Sequence, residues 1–175
     1  NQNKPTPVDE AHSIIWFLEN VFYKVIPQIQ HKLPCQTTCI ELGFWPGGDR
    51  DGNPFVTAEV TLEVADKLRS SLLRCYYQDL QSLRRRLTFA GVSELLTAIA
   101  LKIRHDSYLS SSQLITDLQQ VSKKLSNQYH GLFVNLVQDL IKKINLFHFY
   151  FAKIDIRQNS SIHRQVVADI LRSTS

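Results

Sequence analysis

Methionine is absent from all 175 residues, including position 1. A chain that starts its own translation carries one there, so the expectation is a segment cut from a longer polypeptide. Cysteine is scarce. Cys35, Cys39 and Cys75 make an odd count without framework spacing, which argues against a secreted disulfide scaffold and for a reducing cytoplasm. His31, Cys35 and Cys39 supply metal-donor types, but no second Cys or His pair follows at zinc-site spacing, so no metal site is expected from them. No apolar run approaches the ~20 residues that span a bilayer. No signal peptide opens the chain, and no membrane association is expected. A strong charge of either sign is missing as well. Twenty basic and 16 acidic residues leave +4, spread along the chain. The densest basic run, Arg84-Arg85-Arg86, interrupts a helical pattern and reads as a solvated helix face, so no nucleic-acid partner is expected.

Apolar residues make up 43% of the chain, enough for a packed core. Residues 1–8 form a polar lead-in with Pro5 and Pro7. Asp9 is placed to cap a helix with apolar positions Ile15, Leu18, Phe22, Val25 and Ile29, which Pro27 should kink or end. A strand is expected over residues 38–45, and the strand with its glycine-rich loop occupies 38–57. A helical region covers 58–145. Thr57 caps its first helix, whose stripe runs through Leu68, Leu72, Tyr76, Leu80, Leu83 and Leu87. Gly91 breaks that helix, Ser93 starts the next, and Ser110 with Gln113 reads as a capping box for a third. A fourth helix runs from about Gly131 to Asn145. Residues 147–157, rich in aromatic and β-branched types, read as a buried strand. A last helix begins in 162–175. The predicted class is mainly α, with long helices and two short parallel strands. Two strands separated by a grown helical connection fit neighbouring strands of an α/β barrel with helical insertions.

Chemistry concentrates in two places. In the first, Gly47, Gly48 and Gly52 permit unusual backbone angles and close approach to a ligand, and Asp49, Arg50 and Asp51 lie between them. Asp49, Asp51 and Asn53 alternate as in a calcium loop, but Pro54 stands where that loop's glycine belongs and Val60 where its bidentate acid belongs. A rigid turn in which Arg50 pairs with a carboxylate accounts for the cluster as well as a ligand loop does. The second place is Lys153, Asp155 and Arg157, alternating with Ile154 and Ile156 on one strand face. An arginine at a strand's C-terminal end can fork onto a phosphate or carboxylate. A Lys-Asp-Arg ion-pair ladder on a wet face is the other reading.

The run Gly43-Phe44-Trp45-Pro46-Gly47-Gly48-Asp49-Arg50-Asp51-Gly52-Asn53-Pro54-Phe55-Val56-Thr57 resembles the Gly-Gly-Asp-Arg-Asp-Gly-Asn-Pro segment of phosphoenolpyruvate carboxylases. Ile154-Asp155-Ile156-Arg157-Gln158, followed by Ser160 and His163, is similar to the family's Asp-Ile-Arg-Gln segment. The order is right, and a long helical stretch lies between them. The resemblance extends from about Pro5, through the Pro7 to Ala11 lead-in, to the last residue. Phe44, Pro46 and Asn159 depart from the residues usual in the family.

The resemblance implies carboxylation of phosphoenolpyruvate by bicarbonate to oxaloacetate and phosphate, with magnesium or manganese in the full-length enzyme, a cytoplasmic homotetramer. It implies that Arg157 holds the substrate phosphate and that Trp45 walls the site near the methylene group. Gly47, Gly48, Asp49, Arg50, Asp51 and Asn53 then support the loop. The family's catalytic histidine segment, acidic metal ligands and later glycine-arginine loop are absent, and no histidine here sits in those catalytic contexts. The chain alone is therefore expected to hold no catalytic residue, bind no metal and be inactive. Two other classes stay open: a helical interaction module with no cavity beside Arg157, and a different phosphate-binding enzyme whose pocket is complete within this chain.

Overall fold

A computed structural model describes residues 5–33 and 39–173 of the chain. Cys35, and Thr38 where the first strand was expected to begin, lie outside the described residues. Helix α1 (Pro7–Phe17) continues through a π-helical turn (Leu18–Phe22) into α2 (Tyr23–Lys32). Its N-cap is Thr6 rather than Asp9. The Thr6 hydroxyl accepts from the Asp9 N–H, and the Asp9 carboxylate accepts from the Thr6 N–H in return. Pro27 does not end α2. Buried Tyr23 and Ile26 anchor the turn that leads into Pro27.

The spine is α3 (Ala58–Arg86), 29 residues started by Thr57, whose hydroxyl accepts from the Val60 N–H. Its apolar positions fall on one stripe, so Val64, Leu68, Leu72, Tyr76, Leu80 and Leu83 are all buried. Helices α4 (Val92–Arg104), α5 (Ser111–Gln128) and α6 (Val134–Phe147) follow. α3 packs against α1, α4 and α6, and α5 closes the bundle on α4 and α6. Arg85 and Arg86 are exposed at the end of α3, as a solvated face requires.

The fold is mainly α, with two short parallel strands, β1 (Gly43–Phe44) and β2 (Lys153–Ile154), as expected. The strands are much shorter than residues 38–45 and 147–157. Phe147 completes α6, and residues 148–152 turn, with positive φ at His148 and Phe151. The turn sends Phe147, Phe149 and Phe151 into the core around Tyr23 and Tyr76. The Tyr76 hydroxyl fixes it by donating to the His148 carbonyl (2.8 Å). Aromatic packing thus outweighs the strand preference of these residues. Among the described residues no helix is long and apolar enough to cross a membrane.

Helix α7 (Ser160–Ser173) contributes no buried residue, and Ile162, Val166, Val167, Ile170 and Leu171 are exposed along it. Trp16, Phe17, Val21, Val25 and Ile29 form a second exposed apolar row on α1, the π-turn and α2.

The cysteines depart from the reduced set expected of them. Cys39 is disulfide-bonded, whereas Cys75 is buried and free. Burial, with the Glu19 and Asp79 carboxylates nearby, pushes the Cys75 thiol up to about 12. In the folded protein at pH 8, Cys75 should therefore alkylate on the order of 100-fold more slowly than in denaturant. Iodoacetamide labelling read by peptide mass spectrometry checks this, and equal rates would mean that the thiol is not enclosed.

Candidate functional site

The two motifs meet because β1 and β2 pair in parallel, Gly43 opposite Lys153 and Phe44 opposite Ile154. Lys153 N–H donates to the Leu42 carbonyl (2.8 Å), and Asp155 N–H donates to the Phe44 carbonyl (2.9 Å). Both C-terminal ends therefore lie at one edge, where Trp45 and Arg157 were expected. The ladder resumes beyond the strands. Arg157 N–H donates to the Gly48 carbonyl and Arg50 N–H to the Arg157 carbonyl, each at 3.0 Å, with Asp49 bridged to Arg157. Between Phe44 and Asp49 the first segment spends two more residues than the second does between Ile154 and Arg157. The surplus is taken up by a turn in which Gly48 and Asp49 both donate to the Trp45 carbonyl (2.9 and 3.1 Å). Trp45 stands half-exposed on that turn.

The glycines matter at two positions. Gly47 has φ +77°, and a Cβ there would come within 2.8 Å of Val64 on α3. A Cβ on Gly48 would lie 2.3 Å from the Asp155 carbonyl oxygen. The loop thus sits closer to both neighbours than any side chain permits.

Asp49 and Asn53 each fold the loop on itself, accepting from the N–H of Asp51 (3.2 Å) and Phe55 (3.1 Å) respectively. Arg50 does not pair with a carboxylate as the turn reading expected. Its Nη2 donates to the Thr61 hydroxyl (3.1 Å), and its buried Nε has no partner. Asp51 is exposed. The charges of the second motif pair across the sheet rather than along it. Lys153 Nζ bonds Glu41 at 2.7 Å, which raises the lysine's pKa, and Arg157 Nη1 stands 3.7 Å from Asp49 Oδ2. That last pair is long and solvent-facing, the kind worth about 0–1 kcal/mol. The backbone of Arg157 is fixed while its guanidinium, 62% exposed, is held loosely and turns most of its donors to solvent.

Trp45, Gly47, Asp49, Asp51 and Asn53 line one depression of about 190 Å³, together with Glu10. Arg157, Arg50 and Gly48 do not line it. With three carboxylates around it, this depression does not suit a phosphate. Among the described residues no three His, Cys, Asp or Glu side chains converge as a metal would need. Thr61, Val64 and Glu41 were not singled out from the sequence. Only the fold brings them to the motifs.

The family model described as phosphoenolpyruvate carboxylase matches residues 1–104 and 95–175. Proteins named phosphoenolpyruvate carboxylase from Aeromonas salmonicida and Psychromonas ingrahamii are 28% and 29% identical to 98% of this chain. One from Shewanella loihica is 29% identical over 97% of it. The chain spans about a quarter of the length of these curated relatives. The aligned stretch in the first of them, 216 residues, exceeds the chain's own length, so that relative carries residues within this span that the chain lacks.

The close contacts of the loop make a graded prediction. Gly48→Ala should lower stability by about 2–4 kcal/mol, because backbone must move to admit the methyl group. Gly52→Ala, with φ +71° but nothing within 4 Å of the added Cβ, should cost only about 1 kcal/mol. Thermal or urea melts of both variants check the order. A Gly48→Ala as stable as wild type would refute the packing described.

Proposed function

The chain belongs to the phosphoenolpyruvate carboxylase family, and from that premise we propose that it forms one part of an enzyme that carboxylates phosphoenolpyruvate with bicarbonate. The observation that carries the reading is the parallel pairing that joins the Gly-Gly-Asp-Arg-Asp-Gly-Asn-Pro loop to Arg157 at one edge. Bicarbonate attacks the phosphoryl group, giving carboxyphosphate and the enolate of pyruvate. Carboxyphosphate then splits into carbon dioxide and inorganic phosphate, and the enolate carbon attacks the carbon dioxide to give oxaloacetate. This chain's share is to position. Arg157 presents a planar fork to the substrate phosphate, neutralising part of its charge, on a backbone that two hydrogen bonds hold still. Trp45 offers an apolar wall to the methylene carbon and helps keep water from the enolate. Asp49 leans on the Arg157 head weakly enough for a phosphate to displace it.

The divalent metal of the family finds no donor set among the described residues, so we assign it to other segments of the full-length protein. The catalytic histidine is assigned there too. Cytoplasmic location and a homotetramer belong to the same reading and rest on the family alone. A helical interaction module would also leave Arg157 exposed and outside a cavity, but it does not account for a family match along the whole chain.

Two outcomes are expected. The 175-residue chain, assayed with phosphoenolpyruvate, bicarbonate and magnesium, forms no oxaloacetate above a blank. In a full-length enzyme carrying this segment, Arg157→Ala lowers kcat/KM for phosphoenolpyruvate at least about 100-fold, roughly 2.7 kcal/mol, with little change in melting temperature. Arg157→Lys recovers only part, since an ammonium cannot replace the fork. A lowered melting temperature with near-normal kinetics would make Arg157 a structural residue and remove it from the site.

A further inference from the structure

We infer that Thr61, on the first turns of α3, is the positioning residue that sets the loop carrying Trp45 and its junction with Arg157. Its hydroxyl has one proton and two carbonyls in reach, Gly47 at 2.6 Å and Thr57 at 3.0 Å. The shorter bond is to the loop. The same oxygen accepts from Arg50 Nη2 at 3.1 Å. A relay therefore runs from the guanidinium of Arg50 through Thr61 to the Gly47 carbonyl, each bond polarising the next. The relay ties together two residues that flank the junction. Gly47 precedes Gly48, whose carbonyl accepts the Arg157 N–H, and Arg50 donates its own N–H to the Arg157 carbonyl. Val64, one turn on, closes over Gly47 and leaves the loop no room to settle lower. Arg50 Nε is already buried without an acceptor. Loss of the Thr61 hydroxyl would strand a second donor of the same guanidinium and a carbonyl beside it. Groups stranded this way move toward water and carry the loop with them.

Thr61 touches no substrate in this scheme. It acts through Gly47 and Arg50, and its importance for phosphoenolpyruvate rests on the reading of Trp45 and Arg157 given above.

Amide hydrogen exchange by NMR on the 175-residue chain tests the placement without any ligand. Thr61→Val should speed exchange of the Gly48, Asp49 and Arg157 amides at least tenfold, while core amides of α4 and α5 keep their wild-type rates. Thr61→Ser, which restores the hydroxyl, should match wild type. Unchanged exchange at those three amides in Thr61→Val would overturn the inference. So would an equal acceleration throughout the chain, or a serine variant that behaves like valine. Steady-state kinetics of a full-length enzyme carrying this segment then separate the two claims. A KM for phosphoenolpyruvate raised at least fivefold in Thr61→Val and restored in Thr61→Ser supports both. Local loss of protection in the chain, with wild-type kinetics in the full-length Thr61→Val enzyme, would support the placement of the loop by Thr61 and overturn its importance for phosphoenolpyruvate.

Discussion

Burial of one stripe on α3 is the constraint from which the remaining geometry follows. Val64, Leu68, Leu72, Tyr76, Leu80 and Leu83 lose almost all contact with water. Burying each such side chain contributes on the order of 1.5–3 kcal/mol relative to exposure. α1, α4 and α6 pack on this helix, so it acts as a rod against which the other segments are placed. Its first turns hold the glycine-rich loop through Thr61 and Val64. Further along, the Tyr76 hydroxyl holds the turn that leads from α6 into β2. The two motifs, more than 100 residues apart in sequence, are thus referred to one rigid element.

A polar seam runs beside this apolar one. Asp79 on α3 accepts from the Tyr23 hydroxyl (2.8 Å) and from Lys143 on α6 (2.6 Å). Glu19, in the π-turn, accepts from Ser71 and Arg74, both at 2.6 Å. Partly buried charges of this kind add little net stability, because desolvation offsets much of the attraction. They penalise a wrong register strongly, since a shifted helix would bury the carboxylates without donors. The seam fixes how the π-turn, α2 and α6 seat on α3, whereas the apolar stripe supplies most of the driving force. Burial, followed by the charge and hydrogen bond of Asp79, also holds the Tyr23 hydroxyl well above the usual tyrosine range, so it stays a donor.

Much of this was legible in the sequence. The period of Leu68, Leu72, Tyr76, Leu80 and Leu83 gave the spine, Thr57 and Ser110 marked helix starts, and two motifs in family order pointed to parallel strands. What failed was local propensity where tertiary packing competes. Phe147, Phe149 and Phe151 alternate as a strand would, yet they pack better around Tyr23 and Tyr76 when the chain turns. Asp9 looked like a cap, but Thr6 takes the cap position and uses Asp9 as its reciprocal partner. Pro27 is tolerated in a helix whose preceding turn is anchored by buried Tyr23 and Ile26. Thr61 could not be found in advance. In a helical sequence it is an ordinary threonine, and its partners are set by a loop whose path depends on β1 finding β2.

That pairing also dictates an order of events as the chain folds. Only two residue pairs join β1 to β2, and they close a loop of roughly 110 positions, an entropic cost that grows with the logarithm of length. So little hydrogen bonding cannot meet that cost before the helices have collapsed and shortened the gap. Consecutive helices α3, α4, α5 and α6 pack on one another and can assemble without so long a closure. On that argument the rim that joins Trp45 to Arg157 should close after them. Chemistry placed at such a rim exists only while the helical bundle beneath it is complete.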